Sequence, residues 1–283
     1  MNGIFLIDKE AGMTSYDVIR KLKKKFPVKK IGHAGTLDPF ATGLLVILLG
    51  HATKLSSYFL TNDKTYETTI EFGKKTTTYD YTGDIVQIDD QQIKFDDILN
   101  TLPKMSHYKQ EPPMVSARKV NGKKLYELAR EGIEIKRDKR DVTIDHQDII
   151  SYEYPHLHMI LKVSKGTYIR SYAMDLASHL NTIAMLKSLR RSQSGPFHVD
   201  HAKVLDDLTL NDLIPLEVLL ESYPKIQVSD FIAEKIKHGM ILDQRQYHIQ
   251  EPFRVYDQSN QMIAFYEPKG HDQFKIVFYN EEL

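Results

Sequence analysis

GHAGTLDPFATGLLVILL, residues 32–49, joins a glycine-punctuated turn to a long apolar run and presents a single carboxylate, Asp38. Its three glycines permit backbone angles and close approaches that a side chain would obstruct. Pro39 fixes the backbone just after Asp38 and restricts Asp38 itself to extended conformations. The pattern predicts a stiff loop anchored by a buried segment at 44–49, the kind of support that holds catalytic groups in place.

Outward from this loop, the chain mixes strand and helix patterns without a repeated strand–helix–strand order. Strand patterns fall at residues 3–9, 65–72 and 157–163, helix patterns fall at 14–26 and 95–102, and the segment GTYIRSYAMDLASHL at 166–180 turns into a helix. Asn121-Gly122 is a strong signal for a two-residue turn between paired strands. The sequence therefore predicts an α+β fold with several antiparallel pairings.

A β-rich module is predicted at the C-terminal end, after a proline-flanked stretch at 215–224. A short helix pattern at 231–237 ends at Gly239. Strand patterns follow at 253–256, 262–266 and 274–279. We therefore expect two domains, residues 1–222 and residues 223–283.

Composition and charge narrow the classes of function. The 283 residues include no cysteine, which excludes disulfides, thiolate nucleophiles and cysteine-bound zinc and agrees with a cytoplasmic setting. No apolar run is long enough to span a membrane. Formal net charge is zero, but residues 1–199 carry about +7 and residues 200–283 about −7 by count of Lys, Arg, Asp and Glu. A basic body with an acidic end permits a polyanionic partner on the first part.

The phrase GHAGTLDPxATGLL resembles the signature of bacterial tRNA pseudouridine-55 synthases, the TruB family. Three later segments match in order: KTYETTIEFG at 64–73, KGTYIRSYAMDL at 165–176 and SLRRSQSGPF at 188–197. The resemblance covers roughly residues 3–200. It implies a mixed, mainly antiparallel sheet in a catalytic domain of pseudouridine synthase type, with an RNA-clamping insertion at about 108–140. It also implies that residues 223–283 form a PUA-like module.

The reaction that this resemblance implies is the isomerisation of a T-loop uridine of tRNA to pseudouridine. The uracil must leave its stack before any atom is reachable, so the base is flipped. Atoms are only rearranged, and we expect neither cofactor nor metal. The sequence has no P-loop, no GxGxxG after a strand and no HExxH.

Three catalytic residues follow from the resemblance. Asp38 matches the catalytic aspartate, and its attack at uracil C6, its attack at C1′ and its removal of a 2′ proton all remain open. Arg170 lies two residues after Tyr168 on what we expect to be a strand, with both side chains on one face. It is predicted to hold Asp38 ionised through a bidentate pair. Tyr66 matches the tyrosine that stacks on the flipped uracil.

Five further residues are predicted to bind substrate or to support the loops that do. His33 is expected to contact the RNA loop. Tyr168 and Leu189 are expected to complete the uracil pocket. Lys9 and Asp80 match family positions that support the active-site loops. Glu10 stands where the family usually has proline after the lysine, a departure that concerns loop stiffness.

The resemblance implies that the partner is the T-arm stem-loop of tRNA, and basic clusters offer contacts to its phosphates. They lie at 21–30, at 118–124 and at 136–140, and Arg190 and Arg191 are expected to be available to phosphates. We expect no DNA and no membrane partner, and a monomer.

Two other functions were weighed against this one. The chain could be an RNA-binding factor that promotes tRNA folding without the isomerase step, and both activities could coexist. A carboxylate hydrolase of a small metabolite is poorly supported, because no second carboxylate suited to paired acid–base work stands beside Asp38 in the sequence.

Overall fold

The computed structural model describes residues 1–116, 119–120, 123–124, 133, 135–240, 242–243, 247–269 and 273–279. Its helices are α1 (Ser15–Lys25), α2 (Ser56–Leu60), α3 (Phe95–Thr101), α4 (Ile169–His179), α5 (Leu216–Leu219) and α6 (Asp230–Lys237). Short 3-10 turns lie at Gly50–Leu55, Leu102–Met105, Val199–His201 and Leu210–Asp212. No helix in these ranges has the length and hydropathy needed to cross a bilayer.

The strands are, in chain order, β1 (Gly3–Lys9), β2 (Ile31–His33), β3 (Thr42–Leu49), β4 (Lys64–Phe72), β5 (Lys74–Thr76), β6 (Ile85–Ile88), β7 (His107–Gln110), β8 (Lys119–Val120), β9 (Lys123–Lys124), β10 (Arg140–Glu153), β11 (His156–Val163), β12 (Ala184–Ser194), β13 (Phe197–His198), β14 (Ile214–Pro215), β15 (Lys225–Gln227), β16 (Phe253–Tyr256), β17 (Met262–Lys269) and β18 (Gln273–Tyr279).

Most of these strands form one large sheet. Within the described residues it has ten strands, in the order β14-β1-β3-β12-β4-β11-β10-β7, with β2 beside β3 and β13 beside β12. Only β3 and β12 pair in parallel; every other neighbouring pair in it is antiparallel. The predicted mixed, mainly antiparallel sheet is therefore confirmed.

The junction between β3 and β12 brings together segments that are far apart in the chain. Arg191 pairs with Gly43 on one side and with Tyr66 on the other. Gly43 has a φ of +97°, and a Cβ there would lie 2.3 Å from the carbonyl oxygen of Arg191. Only glycine fits so close a backbone approach. The loop that carries Asp38 leads directly into this junction.

Helix α1 begins where its sequence predicts. The Thr14 hydroxyl accepts a hydrogen bond from the Asp17 amide, and the Asp17 carboxylate accepts one from the Thr14 amide. This reciprocal capping satisfies two amides at the helix start. The helix ends at Phe26, whose backbone is extended, as expected for a residue before proline.

The C-terminal β-rich region forms a sheet of its own, in the order β15-β16-β17-β18. The predicted helix and three predicted strands are confirmed there. One face of this sheet packs with α6 into a separate core. The other face contributes Phe265 and Phe278 to a core shared with Leu44 and Val46 of β3. The domain boundary near 222 stays a prediction, because this region has a core of its own and shares another.

Two sequence expectations need comment. The strand expected through Tyr168 and Arg170 is wrong, because α4 begins at Ile169 and Tyr168 is its N-cap. The hairpin expected around Asn121-Gly122 is supported by antiparallel pairing of β8 with β9, although the two turn residues lie outside the described ones. Much of the proposed insertion at 108–140, including Arg118, also lies outside them.

Candidate active site

A pocket opens beside the junction of β3 and β12. Its walls come from the loop after β2, from β4, from the turn between β11 and α4, and from β12. The lining residues are Gly35, Thr36, Leu37, Asp38, Leu60, Lys64, Tyr66, Ser116, Val163, Ser164, Gly166, Thr167, Tyr168, Ile169, Arg170, Leu189 and Arg191. The structure thus brings together five of the eight predicted site residues: Asp38, Tyr66, Tyr168, Arg170 and Leu189.

Asp38 and Arg170 form an ion pair at this pocket although they stand 132 residues apart. Arg170 Nη2 donates to Asp38 Oδ1 at 2.9 Å, and its Nε lies 2.9 Å from Oδ2. The Arg170 side chain is 3% exposed, whereas that of Asp38 is 31% exposed. The buried guanidinium therefore orients a carboxylate that a ligand can still reach.

Arg170 is itself fixed by groups from two other segments. Nη1 donates to the carbonyl oxygen of Thr78 at 2.9 Å, and Nη2 donates to that of Val115 at 2.8 Å. The Asp80 carboxylate lies 3.6 Å from Nη1. A guanidinium held on several sides has little freedom to turn away from Asp38, so the geometry of the pair is set by the fold.

Asp80 lies behind Arg170 and is not among the residues that line the pocket. It is 3% exposed. Its Oδ1 accepts hydrogen bonds from the Thr78 hydroxyl at 2.8 Å and from the Thr82 amide at 3.0 Å. These bonds close the turn that presents the Thr78 carbonyl to Arg170, so Asp80 helps to hold the Arg170 guanidinium in place.

Burial raises the pKa of Asp38 above its ordinary value. The positive charge of Arg170 opposes that increase, and the negative charge of Asp80 adds to it. The Asp38 carboxylate is thus less acidic than a free aspartate and depends on Arg170 for its charged form.

Lys9 holds the back of the Asp38 loop. Its ammonium is 1% exposed and donates to the carbonyl oxygens of Glu10 at 2.8 Å, Met13 at 2.9 Å and Pro39 at 3.4 Å. Burial lowers the pKa of Lys9 to about 8, while the charge of Asp38 raises it. Lys9 does not line the pocket, so its place fits loop support and not direct contact with a base.

Ser15 fastens the same loop from the start of α1. Its hydroxyl accepts from the Leu37 amide at 2.9 Å and lies 3.3 Å from the Leu37 carbonyl oxygen. The Gly12 amide donates to the Pro39 carbonyl oxygen at 2.8 Å. Asp38 is therefore flanked on both sides by anchored backbone.

Tyr66 and Leu189 supply the apolar walls. Tyr66 lies on the buried face of β4 and is 8% exposed; Leu189 on β12 is 7% exposed. Both line the pocket with Tyr168. A slot with a ring on one side and a carboxylate on another suits a flat, polar heterocycle.

Two further cations, Lys64 and Arg191, lie in the pocket wall, and neither is among the pocket residues predicted from the sequence. Lys64 is 7% exposed and donates to the carbonyl oxygen of Leu60 at 3.1 Å. Burial lowers its pKa to about 8, and the charge of Arg191 adds to that decrease. The signal for Lys64 was its position two residues before Tyr66, on the same face of β4.

The expectation that Arg190 and Arg191 are both available to phosphates is wrong. Arg191 is 1% exposed, and its guanidinium donates to the carbonyl oxygens of Leu44 at 2.7 Å and Gly35 at 3.1 Å. Arg190 forms a two-pronged pair with Asp8, at 3.0 and 2.7 Å. Arg191 instead joins the Asp38 loop to β3 from inside the pocket wall.

His33 lies at the end of β2, before the loop, and is not among the residues that line the pocket. Its Nδ1 is buried without a hydrogen-bond partner. Burial, and then the charge of Arg191, lower the pKa of His33. Contact with RNA through His33 stays a prediction. In the described part of the chain, no group of three or more His, Asp or Glu side chains is arranged to hold a metal ion.

Comparison with known proteins agrees with this fold. A model described as TruB family pseudouridylate synthase, N-terminal domain, matches residues 23–169. A relative from Acholeplasma laidlawii named tRNA pseudouridine synthase B is 41% identical over 279 residues, covering 98% of this chain and 99% of the relative. One of the same name from Caldicellulosiruptor saccharolyticus is 44% identical over 242 residues, covering 84% of this chain and 83% of the relative.

The likeness extends to solved structures. A chain from the crystal structure of a Cbf5-Nop10-Gar1 complex matches with a TM-score of 0.71 at 21% identity, covering 98% of this chain and 85% of that chain. The fold and the family match together define a pseudouridine synthase, an isomerase. This chain belongs to the TruB family of pseudouridylate synthases.

Proposed function

We propose that this pseudouridine synthase acts on tRNA and converts the T-loop uridine, uridine-55, to pseudouridine in the cytoplasm. The observation that carries the proposal is the Asp38 carboxylate, held by Arg170 at a pocket walled by Tyr66 and Leu189. The relatives named above, which are tRNA pseudouridine synthases by name, support the choice of tRNA.

The chemistry requires a flipped base. The C1′–N1 bond breaks, the uracil turns, and a C1′–C5 bond forms. The hydrogen at C5 leaves as a proton and N1 gains one, so the isomerisation balances with no added reagent. A base that remains stacked in RNA does not present its reacting atoms to a side chain in a pocket, so extrusion of the uridine is the way to bring it to Asp38.

Each pocket residue then has a defined task. Asp38 acts on the sugar–base unit, by attack at C6 or C1′ or by removal of a 2′ proton. Arg170 keeps Asp38 charged and directed. Tyr66 stacks on the uracil, an interaction worth roughly 1–3 kcal/mol per base, and Leu189 with Tyr168 closes the slot. Lys64 adds positive charge where the phosphates of the extruded nucleotide enter, and the buried Arg191 holds the Asp38 loop to β3.

The rest of the proposal concerns how the RNA is held. The basic segment 21–30 on and after α1, and the charged residues at 136–140, contact the phosphates of the T-arm stem. The insertion at 108–140 closes over the RNA, and the C-terminal region acts as a PUA-like RNA-binding module on a monomeric enzyme. Binding is then steeply salt-dependent.

The test is tritium release from unmodified tRNA transcripts labelled at uracil C5, with wild type and Asp38→Asn side by side. Wild type should release tritium, because the new C–C bond displaces that hydrogen. Asp38→Asn keeps the shape of the side chain and should reduce the rate by about 10⁴-fold or more. Circular dichroism of both proteins checks that the variant is folded.

Two controls separate the alternatives. A transcript with cytidine at the T-loop position should release nothing from that site, which tests the position of the reaction. Tight tRNA binding by wild type with no tritium release would refute the enzyme proposal and favour a tRNA-folding factor. Equal release by wild type and Asp38→Asn would refute the assignment of Asp38.

A further inference from the structure

Gln110, the last residue of β7, is a buried polar side chain that the reaction as described does not use. It is 1% exposed and does not line the pocket. Buried amides are costly unless their donors and acceptors are matched, so the partners of this side chain indicate its purpose.

The Gln110 amide binds both backbone groups of a single residue, Tyr168. The Tyr168 amide donates to Gln110 Oε1 at 2.8 Å, and Gln110 Nε2 donates to the Tyr168 carbonyl oxygen at 3.1 Å. Nε2 also donates to the Tyr108 hydroxyl at 2.8 Å. One side chain thus pairs with Tyr168 as a neighbouring strand would.

Tyr168 is the residue at which α4 begins. It is the N-cap, its own side chain makes no capping bond, and its carbonyl oxygen accepts the first helical bond from the Tyr172 amide at 2.9 Å. An N-cap without a side-chain bond leaves the helix start poorly fixed. Gln110 supplies the missing anchor from another strand, and Arg170 lies in the first turn that it anchors.

The residues after Gln110 reinforce the same anchor. The Glu111 carbonyl oxygen accepts from the Ser171 hydroxyl at 2.7 Å, and the Val115 carbonyl oxygen accepts from Arg170 Nη2 at 2.8 Å. The segment 110–116 is therefore bonded to Tyr168, Arg170 and Ser171 in turn.

We infer that Gln110 is a positioning residue for the isomerisation: by clamping the backbone of Tyr168, it sets the place of Arg170 against Asp38. It acts through the helix start and touches neither the base nor the reacting atoms. Misplacement of a catalytic group by about 1 Å can cost about 100-fold in rate, so loss of the clamp should reduce the chemical step and leave RNA binding unchanged.

The experiment compares Gln110→Met with Gln147→Met. Gln147 is a matched control, because its side chain also bonds to α4, accepting from the Tyr172 hydroxyl at 2.7 Å, and donates to the Leu102 carbonyl oxygen at 3.0 Å. It contacts the helix one turn beyond its start. Both variants replace an amide by an apolar side chain of similar length. Single-turnover rates on the labelled transcript, filter-binding affinity and thermal melts are measured for both.

Gln110→Met should reduce the single-turnover rate by about 10- to 100-fold, with tRNA affinity within about twofold of wild type. The acid limb of its pH–rate profile should move to higher pH, because a displaced Arg170 no longer opposes the effect of burial on Asp38. Gln147→Met should keep both the rate and the pH profile of wild type.

A rate within twofold of wild type in Gln110→Met, or equal losses in both variants, would refute the inference. If Gln110→Met does not fold, Gln110→Glu replaces it, since that side chain still accepts from the Tyr168 amide but, when ionised, cannot donate to the Tyr168 carbonyl. The inference rests on the proposed function for the choice of RNA and for the roles of Asp38 and Arg170. Inactive wild type would contradict the proposed substrate, whereas active wild type with an unaffected Gln110 variant contradicts the clamp alone.

Discussion

The active-site pocket and the C-terminal sheet are held together by different forces. In the pocket, buried charges meet one another and backbone carbonyls, as in the pair of Asp38 with Arg170. In the C-terminal sheet, rings meet rings: Phe253 stacks on Tyr266 with centroids 5.6 Å apart and meets Phe274 edge-on at 4.7 Å. In the pocket, removing charged groups from water costs free energy, whereas in the C-terminal sheet the burial of apolar rings is favourable.

This difference indicates that the pocket residues mainly determine activity, whereas the C-terminal core mainly determines stability. Burial of Asp38 raises its pKa, so the fold disfavours the charge that the proposed reaction needs, and the positive charges of Arg170 and then Lys9 oppose that increase. Such local conflict is expected at functional sites. Among the described residues of the C-terminal core, no charged side chain is buried. Changes in the pocket should therefore alter rate and pH dependence, and changes in the C-terminal core should alter unfolding.

After that of Asp38→Asn, the largest effect is expected from Arg170. Arg170→Lys keeps the positive charge but loses the planar guanidinium, whose nitrogens bond to Asp38, Thr78 and Val115 at the same time. We expect a fall in single-turnover rate of about 10²- to 10⁴-fold. In the proposed reaction the ionised carboxylate is the active form, and Arg170 lowers the pKa of Asp38. Its loss should raise that pKa further, and the acid limb of the pH–rate profile should move to higher pH.

Arg170→Ala sharpens this test through stability. It leaves Asp38 and Asp80 without their buried counter-charge, a change that costs about 3–5 kcal/mol in comparable sites. Urea unfolding should show that loss in Arg170→Ala and a smaller one in Arg170→Lys. An acid limb that stays in place in both variants would mean that Arg170 does not control the ionisation of Asp38.

A smaller effect is expected from two phenylalanines of the C-terminal region. Phe274→Ala empties part of the separate core, and Phe265→Ala empties part of the core shared with the main sheet, where Phe265 meets Tyr58 and Tyr223 at 6.1 and 5.2 Å. Each should cost about 3–5 kcal/mol, with the rate per folded molecule unchanged. If the shared core couples the two sheets, both variants should unfold in one transition.

Separate transitions in Phe274→Ala would instead define the C-terminal region as an independently unfolding unit and support the predicted boundary near residue 222. A lower rate in either variant at temperatures where it is folded would contradict this separation of the two regions, because it would mean that the C-terminal core affects the chemical step.

How far the sequence predicted this molecule depends on which interactions decide each feature. Local patterns located β4, α1 and the C-terminal strands, since capping and alternation act over a few residues. The start of α4 was missed, because Tyr168 and Arg170, two residues apart, fit a strand as well as the entry to a helix. The bonds to Gln110 that fix this start come from 58 residues away.

The sequence predicted the site residues that lie in family motifs and missed those whose position depends on tertiary contacts. Asp38, Arg170 and Tyr66 were placed through the family resemblance. Arg191 was expected at the surface, as arginine usually is. Its burial follows from the parallel pairing of β12 with β3 at Gly43, a contact between segments that no local pattern joins. Lys64 lies two residues before Tyr66, so strand alternation places both on the same face of β4. A lysine on a buried strand face is uncommon, however, and alternation alone does not identify it as a pocket residue.

The smallest effect is expected at the contact between the two regions. The Tyr58 hydroxyl donates to Glu267 Oε2 at 2.5 Å, and Lys275 holds the other oxygen of Glu267 at 2.9 Å. Burial, and then the hydrogen bond to Glu267, raise the pKa of Tyr58. Tyr58→Phe keeps the ring against Phe265 and removes only the hydroxyl.

In Tyr58→Phe, Glu267 still pairs with Lys275 and stays partly exposed to water. The substitution should therefore lower the free energy of unfolding by only about 1–2 kcal/mol, with no change in rate. Tyr279→Phe, on β18 of the same region, is the matched control and should cost less. A Tyr58→Phe protein as stable as wild type would mean that the apolar contacts of Phe265 alone hold the sheets together. A loss as large as that of Phe265→Ala would mean that the polar contact is as decisive here as it is in the pocket, and the contrast between the two regions would fail at their junction.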